Sequence, residues 1–216
     1  MLGRDIPMPR FLEAGEQFVR LNYNSLSHEH MVDVLSAYSK HFDPERNAQL
    51  FALFEDEVLL TKANLSLVHA VGLVQAFAFG QYGSKALYEA LDKIIGKGVG
   101  ELGADQIVPV LNSFMVSGKF RPKLFVLFHH KIKKHLRELT ASNLASLVRI
   151  YCQIGSEYEY VFDLAEPVLQ REITALNDDD LANALIGYSN PNLQKKYGLL
   201  YDVEQAVEVR SPYMDV

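Results

Sequence analysis

Cysteine is all but missing from this 216-residue chain: Cys152 stands alone. A single thiol excludes any intrachain disulfide framework and fits a reducing compartment or an organelle matrix better than secretion. Long apolar runs are missing too. FVLF, VLNSFMV and VHAVGLVQAFAFG all meet polar residues or glycine well short of the roughly 20 residues a bilayer span requires. The N-terminal MLGRDIPMPRFLEAGEQFVR lacks the acid-poor character of a transit peptide, because Asp5, Glu13 and Glu16 interrupt Arg4, Arg10 and Arg20. Any targeting segment is therefore expected to be weak or already removed. Nor is there an excess of positive charge: 27 acidic against 21 basic residues give −6, which argues against indiscriminate coating of nucleic acid.

What the chain does contain is a repeat. SLSHEHMVDVLSAYS, NLSLVHAVGLVQAFA, ELGADQIVPVLNSFM, ELTASNLASLVRIYC and ALNDDDLANALIGYS align without a gap. Their anchors are Leu26, Leu65, Leu102, Leu139 and Leu176, spaced by 39, 37, 37 and 37 residues. Each anchor is followed by Ser27, Ser66, Gly103, Thr140 or Asn177, residues that favour a helix N-cap.

Apolar positions recur behind each cap at helical spacing: Met31, Ala70, Ile107, Leu144 and Leu181, then Leu35, Val74, Leu111, Val148 and Leu185. The column twelve places after the anchor is always aromatic: Tyr38, Phe77, Phe114, Tyr151, Tyr188. It shares the aliphatic stripe, so it reads as a core wedge between repeats rather than a base-stacking platform. A second helix follows in the first four units, with columns Leu50, Leu87, Leu124 and Val161, then Phe54, Leu91, Phe128 and Ala165, then Val58, Ile95, Ile132 and Leu169. Two extra residues in the first inter-helix turn account for the longer first spacing. Turns are predicted at Asp43-Pro44, Gly80 with Gly83, Gly118 with Pro122, Gly155-Ser156 and Asn190-Pro191. Pro109 and Pro167 fall inside predicted helices, which they should bend.

One segment imitates a nucleotide loop. GKGVGELG, residues 96–103, contains G-x-G-x-x-G, but that fingerprint needs a strand in front of it and an acid about 20 residues on. ALYEALDKIIGK in front reads as a helix, and Lys123 stands where the acid should be. The segment is expected to be a glycine-rich junction between hairpins and a point of flexure.

Hairpins of this size cannot bury both faces alone, so the expected fold is all-α: an α-solenoid of about five 37-residue helical hairpins over residues 26–216, preceded by a capping segment over 1–25. The 37-residue period, the leucine with its small N-cap and the aliphatic-then-aromatic pattern resemble the heptatricopeptide repeats, relatives of the octotricopeptide and pentatricopeptide repeats. That resemblance implies a mitochondrial or plastid protein that binds RNA or helps to build an organellar ribonucleoprotein assembly with other protein subunits. The chain is shorter than many members and shows no nuclease-like C-terminal domain.

Charge is distributed unevenly. Between Gln106 and Arg137 lie Lys119, Arg121, Lys123, Lys131, Lys133, Lys134 and Arg137 with no acid. The other 14 basic residues face all 27 acidic ones, so the balance is +7 here and −13 elsewhere. With Leu124, Phe128 and Ile132 turned inward, Lys123, Lys131 and Lys134 can share an exposed strip suited to RNA phosphates. The same strip could pair with acidic neighbouring repeats or an acidic protein partner.

His129, His130 and His135 in this helix, and His28 and His30 in the first repeat, lack the spacing of a metal site; the first three read as partly exposed side chains. Asp178, Asp179 and Asp180 complement a helix N-terminus. Cys152 beside the aromatic column reads as buried. No Ser/His/Asp or paired-carboxylate constellation emerges, so the chain reads as a non-enzyme without cofactor, metal or small-molecule substrate.

Overall fold

The computed structural model describes residues 10–39, 44–119, 122–154, 159–190 and 198–210. The regular elements among them are all helical. The chain divides into two compact units whose boundary falls between Gly98 and Val99, inside the glycine-rich segment.

The first unit carries α1 (Arg10–Asn22), α2 (His28–Tyr38), α3 (Pro44–Thr61), α4 (Leu67–Phe79) and α5 (Lys85–Gly98). In it α2 packs on α3 and α4, α4 on α5, and α3 on α5. The second unit carries α6 (Ala104–Val116), α7 (Pro122–His135), α8 (Ala141–Ile154), α9 (Glu159–Glu172), α10 (Asp178–Tyr188) and α11 (Leu199–Arg210). There α8 lies between α6 and α10, α7 pairs with α6, α9 with α8, and α11 packs on α9 and α10.

The repeat columns are the core. All twelve second-helix positions are buried, as are Met31, Ala70, Ile107, Leu144 and Leu181, and four of the five residues in the column that begins at Leu35. Leu185 alone in that last column is half-buried. Phe77, Phe114, Tyr151 and Tyr188 are buried, whereas Tyr38 in the first repeat is half-buried.

The aromatic column has a partner column that the repeat alignment does not single out. Phe51, Tyr88, Phe125 and Phe162, each one residue after the first second-helix column, are also buried rings. Phe51 meets Phe77 edge to face at 5.2 Å, Phe125 meets Tyr151 at 5.3 Å, and Phe162 meets Tyr188 at 5.4 Å. Each pair joins the second helix of one repeat to the first helix of the next, in the T-shaped geometry that the ring quadrupoles favour.

Four of the five anchors follow the same kind of link. A 3-10 turn at Tyr23–Ser25, Lys62–Asn64, Val99–Glu101 and Leu136–Glu138 precedes the anchors Leu26, Leu65, Leu102 and Leu139. The N-cap follows. Ser27 Oγ, Ser66 Oγ, Thr140 Oγ1 and Asn177 Oδ1 accept from the backbone N–H three residues on, at 3.3, 3.3, 3.2 and 2.8 Å. Gly103 has no side chain to offer; instead its own N–H donates to Gln106 Oε1 at 3.1 Å. GKGVGELG is thus a helix end, a 3-10 turn and a cap, with no strand in front of it.

Both internal prolines lie inside continuous helices, Pro109 in α6 and Pro167 in α9. Gly83 adopts φ +99°, in the left-handed region, where an added Cβ would lie 2.9 Å from the Tyr88 ring. Of the other predicted turn residues, Asp43, Gly155, Ser156 and Pro191 lie outside the described residues.

The fifth unit extends further than its sequence pattern. The repeat alignment runs out after α10, yet α11 buries Leu199 and Val203 against its neighbours. Leu199 stands 37 residues after Phe162 and so continues the ring column, whereas Val203 stands one residue beyond the position that the period would assign after Ala165.

Candidate functional site

The basic segment folds as α7 and the 3-10 turn after it. Leu124, Phe128 and Ile132 are buried, so the opposite face of the helix must meet solvent. Lys123, Lys133, Lys134 and Arg137 are exposed.

The seven sequence candidates do not act alike. Lys131 is half-buried, and its Nζ donates to the Gly100 carbonyl at 2.7 Å, holding the 3-10 turn in front of α6. Lys133 Nζ sits 5.7 Å from the centre of the Tyr160 ring on α9, within cation–π range. Lys119 is half-buried at the end of the α6 turn, where its Nζ approaches the Ser117 carbonyl at 3.5 Å. Arg121 lies outside the described residues. Lys123, Lys134 and Arg137 have no hydrogen bond or ion pair to another described residue. Among the described candidates, these three remain uncommitted.

Between them lie two residues that charge counting passes over. Val126 is 51% exposed and Leu127 42%. Lys123, Val126 with Leu127, His130 and Lys134 follow one another at spacings of three or four, so they form one row along α7, continued by Arg137. The signal was in the sequence: once the buried stripe is assigned, the wheel places Val126 and Leu127 on the far side.

The histidines divide. His130 is exposed, and His135 Nδ1 meets Glu138 Oε2 at 2.8 Å. His129 is partly exposed and tied to its neighbours. It is half-buried, its Nδ1 lies 2.9 Å from the Tyr151 hydroxyl, its ring stacks on Phe125, and the Tyr160 hydroxyl approaches its Nε2 at 3.3 Å. This cluster ties α7 to α8 and α9.

In the first unit His28 Nε2 lies 2.9 Å from Thr61 Oγ1, and its ring centre is 5.9 Å from that of His69. Burial, and then the nearby His69, hold the His28 pKa below its ordinary value, with Glu57 opposing. Among the described residues no group of three or more His, Cys, Asp or Glu side chains could hold a metal ion.

The Asp178–Asp180 run forms the first turn of α10, behind the Asn177 cap. Asp180 is buried and accepts the Ser142 hydroxyl at 2.8 Å, and Asp178 meets Arg210 at 3.4 Å. Cys152 is half-buried rather than buried, with Asn190 Nδ2 at 3.9 Å from its sulfur. No helix among the described residues is long and apolar enough to cross a membrane.

No protein-family model matches the chain, and no curated protein matches it.

Proposed function

We propose that this protein is a non-catalytic helical-repeat scaffold subunit, its hairpins stacked as one α-solenoid, and that the outer face of α7 docks an anionic partner. The observation that carries the proposal is the row of Lys123, Lys134 and Arg137, exposed and without a described partner in an otherwise acidic chain. Free cations on a rigid helix raise the local concentration of anionic ligands and set their orientation. The remaining, mostly acidic surface is read as contacting other protein subunits.

RNA is the second reading of the same face. The resemblance to heptatricopeptide repeats favours it and would place the protein in a mitochondrial ribonucleoprotein assembly. The exposed cations suit phosphate oxygens, through counterion release, in place of base-specific contacts.

The test is purification of the native assembly with and without nuclease, beside a Lys123→Glu, Lys134→Glu, Arg137→Glu triple variant. A docking face predicts partners that the triple variant loses while its circular dichroism is unchanged. Partners that survive nuclease identify a protein on α7. Loss with nuclease, and ultraviolet crosslinks to RNA within residues 119–137, identify RNA. Retention of every partner by the triple variant would remove α7 from the function.

A further inference from the structure

Phosphate recognition gives no reason for two aliphatic side chains in the middle of a cationic row. Val126 and Leu127 are exposed at 51% and 42%. They stand one turn from Lys123 on one side and one turn from His130 on the other, with Lys134 a further turn along. Neither can stack on a base as an aromatic ring or a guanidinium would. Both can enter the apolar stripe of a second helix.

Resting on the reading of α7 as a docking face, we propose that its occupant is an acidic amphipathic helix of a partner protein, whose apolar stripe covers Val126 and Leu127 while flanking carboxylates meet Lys123, Lys134 and Arg137. The dimensions agree. From Lys123 to Lys134 the helix advances about 17 Å at 1.5 Å per residue, or three turns, which covers the roughly 10.5 Å that i to i+7 anchors span in helix-in-groove recognition and leaves a turn for flanking carboxylates.

The immediate surroundings define the orientation. On the α9 side lies Tyr160, with Lys133 over its ring. Glu138 is exposed beside His135 at the end of the row. The partner is expected to lie along the Lys123–Val126–Leu127–His130–Lys134 line. Lys131, committed to the Gly100 carbonyl, holds the base of the site and does not face the ligand.

Three probes test the assignment on the full chain. The first is a peptide of about twenty residues with leucines at i, i+3, i+4 and i+7 and glutamates on both flanks. The second has the same composition with the leucines scattered, and the third is a single-stranded oligouridine. Each is titrated against the native chain, Leu127→Ser, Val126→Ser and Lys134→Glu, with the melting temperature of each variant measured in parallel.

The expected result is that the patterned peptide binds at least roughly tenfold tighter than the scattered one. Lys134→Glu and Leu127→Ser each weaken it by about that factor, and Leu127→Ser leaves oligouridine unaffected. Equal binding of the two peptides, or tighter binding of oligouridine with no response to Leu127→Ser or Val126→Ser, overturns the helix proposal. In that outcome α7 remains a docking face, provided Lys134→Glu still weakens oligouridine. If Lys134→Glu changes the binding of no probe, the docking face itself fails.

Discussion

Gly187 on α10 lies so close to α8 that a Cβ built on it would stand 2.7 Å from Val148 Cγ2 and 2.9 Å from the Val148 carbonyl carbon. The neighbour is backbone, which cannot move aside as a flexible side chain can. Gly187→Ala should force the two helices apart and destabilise the chain by about 1 to 3 kcal/mol, the usual cost of overpacking. Chemical denaturation measures it. Gly100→Ala, where nothing lies within 4 Å of the added carbon, is the control and should leave the midpoint nearly unchanged.

The paired aromatic columns make a second prediction. Phe77→Ala removes a buried ring from its edge-to-face contact with Phe51, and should cost about 3 to 5 kcal/mol in stability. Tyr38, half-buried in the same column, should cost clearly less when truncated. Equal losses at the two positions would mean that the column is not a set of inter-repeat wedges.

Two glutamates perform the same task in different repeats. Glu55 accepts from the Ser84 N–H at the start of α5, at 3.1 Å to both oxygens, and Glu166 Oε1 accepts from Gly198 and Leu199 at the start of α11, at 2.8 and 3.2 Å. Each neutralises unpaired N–H groups and faces the positive helix end. Glu166→Ala should cost about 1 kcal/mol and, more specifically, should speed amide exchange in α11 before that in α8 or α10.

His28 sets a dependence on pH. Its pKa is depressed in the folded chain by burial and by His69, so the unfolded chain takes up the proton more readily. The sign follows: this contribution is complete above the ordinary value of about 6.5 and is lost as pH falls through it toward the folded value. The denaturation midpoint should therefore decline between neutral pH and pH 5.5, and His69→Gln should reduce the slope. An unchanged slope would show that the two rings do not interact.

The helical hairpins, their caps and most of the core were legible in the sequence because they depend on neighbours a few residues apart. A leucine, a small polar cap and apolar residues at helical spacing specify one amphipathic helix whatever surrounds it, so Ser66, Val74 and Leu87 could be assigned from their columns alone. The basic segment was legible as charge. Which of its cations are available was not, because Lys131 reaches a carbonyl 31 residues away and Lys133 a ring on α9. The pairing of Phe51 with Phe77 and the close approach of Gly187 to Val148 likewise required tertiary structure. Each joins residues from different helices, and their separation depends on how two surfaces pack, a quantity that the periodicity of either helix alone does not contain.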